Sequence, residues 1–173
     1  MDWLSRNRKY LIFITLFLAV GIFVLRMPSQ RQWILNITLI GTALTGNLGP
    51  TRDLLARGAD VNTRDENVGM TPLICAARGD SDVLQPDQVV ADHAGVMTEL
   101  LDRGADINAQ DRDGMTALIW AARNGRAPLV KLLIARGADL NVADFTGRTA
   151  ITWAKAGGHE EVVKVLEKAG AKE

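Results

Sequence analysis

Residues 54–62 read Leu54-Leu55-Ala56-Arg57-Gly58-Ala59-Asp60-Val61-Asn62, and nearly the same string returns as Leu100-Leu101-Asp102-Arg103-Gly104-Ala105-Asp106-Ile107-Asn108 and as Leu133-Ile134-Ala135-Arg136-Gly137-Ala138-Asp139-Leu140-Asn141. A last copy fades at Lys168-Ala169-Gly170-Ala171. A second string moves in step with the first: Thr71-Pro72-Leu73-Ile74-Cys75-Ala76-Ala77, then Thr116-Ala117-Leu118-Ile119-Trp120-Ala121-Ala122, then Thr149-Ala150-Ile151-Thr152-Trp153-Ala154. Thr116 and Thr149 are 33 residues apart, whereas Thr71 and Thr116 are 45 apart, the same period with twelve residues inserted. A fixed period of this length marks an array in which one small structural unit is stacked on the next.

The physics of the unit is legible residue by residue. Each Thr precedes a short apolar run and can cap the N-terminus of a helix, and Pro72 stands where a missing N–H costs nothing. Gly58, Gly104, Gly137 and Gly170 follow Leu-rich segments and suit the left-handed residue that ends a helix. The alanine pairs Ala76-Ala77 and Ala121-Ala122 are small enough for neighbouring helix pairs to approach closely. One unit cannot bury its apolar face alone, so the stack supplies the core. Leu100, Leu101, Leu132 and Leu133 are expected to lie buried between helices.

These motifs, in this order, resemble the ankyrin repeat family, over about 139 of the 173 residues. The resemblance implies an all-α repeat solenoid of stacked helix-turn-helix units with β-turn fingers, in four units: about 35–62, 63–108, 109–141 and 142–173. The first is degenerate, with Ile37 where Thr should stand, and reads as a terminal cap, as does the last. The second carries the insertion, 81–92, which contains Pro86, Asp82, Asp87 and Asp92 and is expected to be an added loop.

The chain has 173 residues, 20 Lys+Arg against 20 Asp+Glu, 47% hydrophobic residues and one cysteine. That is too apolar for a disordered chain, and a single Cys excludes an internal disulfide or a multi-cysteine zinc site. Four basic residues, Arg6, Arg8, Lys9 and Arg26, fall in the first 26 positions, so residues 27–173 hold 16 basic and 19 acidic side chains, net −3. Nucleic-acid binding requires a concentrated basic face, and this balance argues against it.

From Tyr10 to Leu25 runs YLIFITLFLAVGIFVL, sixteen uncharged residues between Arg8-Lys9 and Arg26. Twelve are Leu, Ile, Phe or Val, each favouring insertion by roughly 0.3–0.6 kcal/mol. The reading is a basic flank at 1–9, a transmembrane signal anchor at 10–27 in contact with the lipid bilayer, a linker at 28–34 and the repeat domain at 35–173. A cleaved signal peptide is the competing reading, but the nearest small-residue site, Ala19-Val20-Gly21, lies inside the apolar run. Arg6, Arg8 and Lys9 precede the span and Arg26 and Arg31 follow it, which places the N-terminus in the cytoplasm and the repeats on the opposite side, the periplasm in a bacterium.

Catalytic chemistry has little to rest on. His93 and His159 both fall where second helices open, and are expected to bond turn backbone. Cys75 lies in an apolar helix and is expected to be a buried, inert thiol. No phosphate loop, nucleophile elbow or His-Glu metal motif occurs, and the Asp80-Ser81-Asp82 stretch lacks the spacing of a calcium loop. No enzymatic activity, metal or cofactor is expected. Asn36-Ile37-Thr38 matches a glycosylation sequon by composition.

What remains is recognition of a protein, soluble or integral to the membrane. The resemblance implies that partners meet the loop tips and the exposed side of first helices, here Met70, Arg78, Arg112, Asp113, Met115, Trp120, Arg123, Phe145, Arg148, Trp153 and Lys155. Aromatics, Met and Arg are the types enriched in interface cores. Arg78, Arg123 and Lys155 are expected to form a basic row facing carboxylates, while Trp120 and Trp153 suit either the surface or stacking between units. Three roles fit: adaptor or scaffold, accessory or assembly subunit of a membrane enzyme complex, and inhibitor or immunity protein.

Overall fold

A computed structural model describes residues 28–79 and 91–172. The basic flank, the apolar run of 10–27 and residues 81–90 of the insertion lie outside the described residues. Within them the chain is all-helical: α1 Pro28–Leu44, α2 Leu48–Ala56, α3 Pro72–Arg78, α4 His93–Asp102, α5 Ala117–Arg123, α6 Ala127–Ala135, α7 Ala150–Ala156 and α8 Glu160–Lys168. Consecutive helices pair, α1 with α2 through α7 with α8, and the first helices of the pairs stack in the order α1, α3, α5, α7. The second helices α2, α4, α6 and α8 form the other layer. No helix among the described residues is long and apolar enough to cross a membrane.

The core lies between these layers. Leu39, Leu73, Ile74, Val96, Met97, Leu118, Ile119, Ile151 and Leu166 are fully buried. Ala76, Ala77, Ala121, Ala122 and Ala154 have no exposed surface, so first helices meet across methyl groups. Leu100 and Leu133 are fully buried, but Leu101 and Leu132 are only partly so. Adjacent helix positions point about 100° apart, so one leucine of each pair faces the core squarely and its neighbour the rim.

Capping follows the sequence in two units of three. Thr71 and Thr116 accept from the N–H of Ile74 and Ile119, each at 3.3 Å. Thr149 does not: its hydroxyl meets that of Thr152 at 3.1 Å and donates to the Lys172 carbonyl. At the other ends, Gly58, Gly104, Gly137 and Gly170 all hold φ between 83° and 90°, the left-handed conformation that closes a helix without a Cβ penalty.

The stretch 28–34 is helix rather than linker, because α1 begins at Pro28 and runs for 17 residues. Without a Thr cap at position 37 nothing starts the helix there, and it extends back to a proline suited to a first turn. The added length has a use. Asn36, on α1, accepts from the Asp60 N–H at 2.9 Å. In the same way Asn62 accepts from Asp106, Asn108 from Asp139 and Asn141 from Lys172, at 2.8–3.1 Å. The oxygens of Asn62, Asn108 and Asn141 thus tie each unit to the next, and Asn36 makes the equivalent bond inside the degenerate first unit, from a helix.

Candidate protein-recognition surface

Each finger is built on an aspartate. Asp65 Oδ1 accepts from the N–H of Asn67 and Val68, Asp111 Oδ1 from Asp113 and Met115, and Asp144 Oδ1 from Thr146 and Arg148, all at 2.8–3.0 Å. Fingers are joined backbone to backbone: the Arg112 N–H donates to Val68 O and the Phe145 N–H to Asp113 O. Gln110 Nε2 donates to Gly114 O and Ala143 O, adding a side-chain tie between the last two fingers.

The second oxygen of two of these aspartates positions the indoles. Trp120 Nε1 donates to Asp111 Oδ2 and Trp153 Nε1 to Asp144 Oδ2, both at 2.8 Å. Held in this way, the rings alternate with guanidiniums. Arg78 lies 5.3 Å from the Trp120 centroid, Arg123 lies 5.1 Å from Trp120 and 4.6 Å from Trp153, and Arg148 lies 4.9 Å from Trp153. The result is a five-membered stack, Arg78, Trp120, Arg123, Trp153, Arg148, crossing three units. Cations over ring faces are attracted by about 0.5–1 kcal/mol at exposed sites.

Two expectations about this surface are corrected. Met70 and Met115 are buried, at 5% and 3% exposure, and lie under the strip instead of on it. Their sulfurs face Arg78 and Arg123 Nη1 at 3.8 and 3.9 Å, so each thioether floors the guanidinium above it. Lys155 does not continue the basic row: it stands six residues after Thr149, whereas Arg78 and Arg123 stand seven after Thr71 and Thr116, so it points about 100° away on its helix, and its ammonium lies 3.8 Å from Glu167 of α8. Arg148, at the finger position that Met70 and Met115 hold in earlier units, takes the outer face of Trp153. Arg112 clamps the finger before its own, with Nη1 and Nη2 donating to the carbonyls of Asn67 and Glu66 at 2.6 Å. Asp113 and Phe145 are exposed, Phe145 at 75% the most exposed large apolar side chain among the described residues.

Asp111 and Asp144 were missed as contributors. The clue was present: each stands nine residues before its Trp, at the repeated finger position. In the second unit Cys75 occupies the tryptophan place, which leaves Asp65 without an indole donor. Burial alone would raise the Asp144 carboxyl. Hydrogen bonds from the Thr146 hydroxyl, the Arg148 N–H, the Trp153 indole and the Thr146 N–H outweigh it and hold the group below its ordinary value.

The profile of a repeat-family model matches residues 88–172, as ankyrin repeats in three copies. Residues 88–172 are ankyrin repeats. The match begins beyond α1, α2 and α3, whose stacking, with the Asn62 tie to Asp106, continues the same array toward the N-terminus. No curated protein matches the chain. Ankyrin repeats are protein-interaction modules, and no enzymatic family is indicated.

The remaining titratable groups fill structural roles in the ankyrin stack. His159 Nε2 lies 2.9 Å from the Arg123 carbonyl, tying the end of α5 to the start of α8. His93 is held below its ordinary pKa first by burial and then by the Arg126 cation, with Asp92 opposing, and its Nδ1 is buried without a hydrogen-bond partner. Burial pushes the Cys75 thiol up to about 12, so it stays protonated. Among the described residues no cluster of His, Cys, Asp and Glu could hold a metal ion.

Proposed function

We propose that the protein is a non-catalytic adaptor or scaffold, anchored in a membrane through residues 10–27, whose ankyrin repeats bind a protein partner on the face formed by Arg78, Trp120, Arg123, Trp153, Arg148 and Phe145. The observation that carries this reading is the stack itself. Three exposed guanidiniums are held in register by two half-buried indoles, and the five described ion pairs use none of them. Aromatic and Arg anchors of restricted mobility are the composition of binding hot spots. The anchor rests on the apolar run of 10–25, and the excess of Arg6, Arg8 and Lys9 favours a cytoplasmic N-terminus with the repeats across the membrane.

A second reading, an accessory or assembly subunit of a membrane enzyme complex, is favoured by one feature of α1. Trp33, Ile34 and Ile37 are exposed on that helix, shortly after the apolar run. An integral-membrane partner would cover them. The two readings separate by cross-linking the full chain in its own membrane at Ile37 and at Phe145. Adducts at Phe145 alone support the adaptor, and adducts at Ile37 with an integral-membrane protein support the accessory subunit. Absence of adducts at either position would count against both.

A further inference from the structure

We infer that the stacked arginines select an acidic, extended segment of the partner, with carboxylates about three residues apart and an apolar side chain at the end nearest Phe145. This rests on the protein-binding reading above and names the chemistry of the partner at the same face.

Charge placement leads to this choice. Arg78, Arg123 and Arg148 spend their flat faces on Trp120 and Trp153, which leaves the N–H edges of each guanidinium as the groups available to a ligand. A guanidinium edge is a planar fork of donors matched to a carboxylate. The two aspartates that hold the indoles cannot satisfy it. Asp111 and Asp144 are buried, with Oδ1 committed to finger N–H groups and Oδ2 to the indoles. Among the described residues, these three cations therefore stand together with no carboxylate paired to them.

Spacing narrows the ligand. Arg78 and Arg123 lie 5.3 and 5.1 Å from one indole, so their charges stand no more than about 10 Å apart, a span that three residues of an extended polyproline II segment cover at about 3.1 Å each while returning every third side chain to the same side. The strip also has a direction. Its Arg148 end adjoins the Phe145 finger, whose ring packs over Gly114 and is otherwise open to solvent, and an apolar side chain suits that end. A polyphosphate carries a charge at every unit, far denser than a carboxylate at every third residue, so the net −3 of residues 27–173 and exposed Glu66 and Asp113 at the fingertips oppose it more strongly than they oppose the peptide. Restraint of each arginine against a ring, and of Arg123 between two, reduces the side-chain entropy lost when a carboxylate binds.

The test uses the full chain in detergent micelles and a fluorescein-labelled synthetic peptide with Glu at every third position and one terminal Leu. Its Glu-to-Gln counterpart and a single-stranded oligothymidylate serve as comparison probes. The Glu peptide should bind with an affinity that falls as salt rises, and the Gln peptide at least about tenfold more weakly, equivalent to about 1.4 kcal/mol. Arg123→Gln and, at the end of the stack where refolding is least affected, Arg148→Gln should each weaken the Glu peptide several-fold with helical content unchanged. Equal binding of Glu and Gln peptides, unchanged binding by Arg148→Gln, or tighter binding of the oligonucleotide would overturn the inference. If partner adducts still form at Phe145 while the carboxylate preference is absent, this inference fails and the adaptor reading stands. Loss of both overturns both.

Discussion

At the scale of single residues, the most informative group is Asp144, a side chain that no motif singled out. It serves the finger and the indole at once, so its removal should be felt in both. Asp144→Ala strands the Trp153 N–H and the finger amides, a loss of about 2–3 kcal/mol for hydrogen bonds to a charged acceptor. The sign of the pH dependence follows from the direction of its shift. A carboxyl held below its ordinary value stabilises the fold fully above about pH 4, and that contribution fades as pH falls through the lowered folded value. The gap in thermal midpoint between wild type and Asp144→Ala should accordingly be widest near neutrality and shrink as the pH falls below the ordinary carboxylate range. A gap independent of pH would contradict this role. Cys75 gives a simpler expectation: with its thiol pushed up to about 12 and buried, it should resist aromatic disulfide reagents in the native protein and react on unfolding. The sequence made Cys75 legible because an apolar helix surrounds it. Met70 and Met115 were misread because their period places them in the finger without telling which way the thioether turns. Arg78 and Arg123 lie over them, and that geometry arises only once units are stacked.

At the scale of elements, the helices followed from spacing alone, while their edges did not. Pro72, the Thr caps and the four closing glycines marked α3, α5 and the ends of second helices because these residues act locally, within one turn. The backward extension of α1 was not legible, since it results from a cap that is missing rather than one that is present. The Leu pairs show the same limit at finer grain. Leu133→Ala should cost about 2–5 kcal/mol, the range for emptying a packed site, and Leu132→Ala clearly less because it sits at the rim. Chemical denaturation of the two variants checks the order, and equal losses would contradict the assigned helix face. The asparagine ties predict a further asymmetry. Asn108→Ala breaks a link in the middle of the array and should lower stability by about 1–2 kcal/mol. Asn141→Ala, which holds only the C-terminal Lys172, should cost less. Hydrogen exchange on the same variants should show that Asn108→Ala loosens α6 and the finger after it more than α2.

At the scale of the whole molecule, the solenoid was legible because a period of 33 residues leaves few other architectures. The recognition face was legible only in outline. The expected row of Arg78, Arg123 and Lys155 fails because Lys155 stands one residue earlier in its unit than the two arginines and meets Glu167 instead, and the presence of Arg rather than Met at position 148 restores the third cation. Topology is an expectation of the same scale. With the N-terminus in the cytoplasm, protease added to intact cells or spheroplasts should reach the repeats once the compartment holding them is opened, and degradation only after the inner membrane is breached would reverse the orientation. Whether partners bind the Arg and Trp face is decided by comparing two photo-cross-linking positions in the full chain in its own membrane. One is Phe145 on the finger beside the stack, and the other Lys164 on the exposed side of α8. A discrete adduct is expected from position 145, lost on Arg123→Glu, and none from position 164. An adduct from position 164 with none from position 145 would contradict binding at this face.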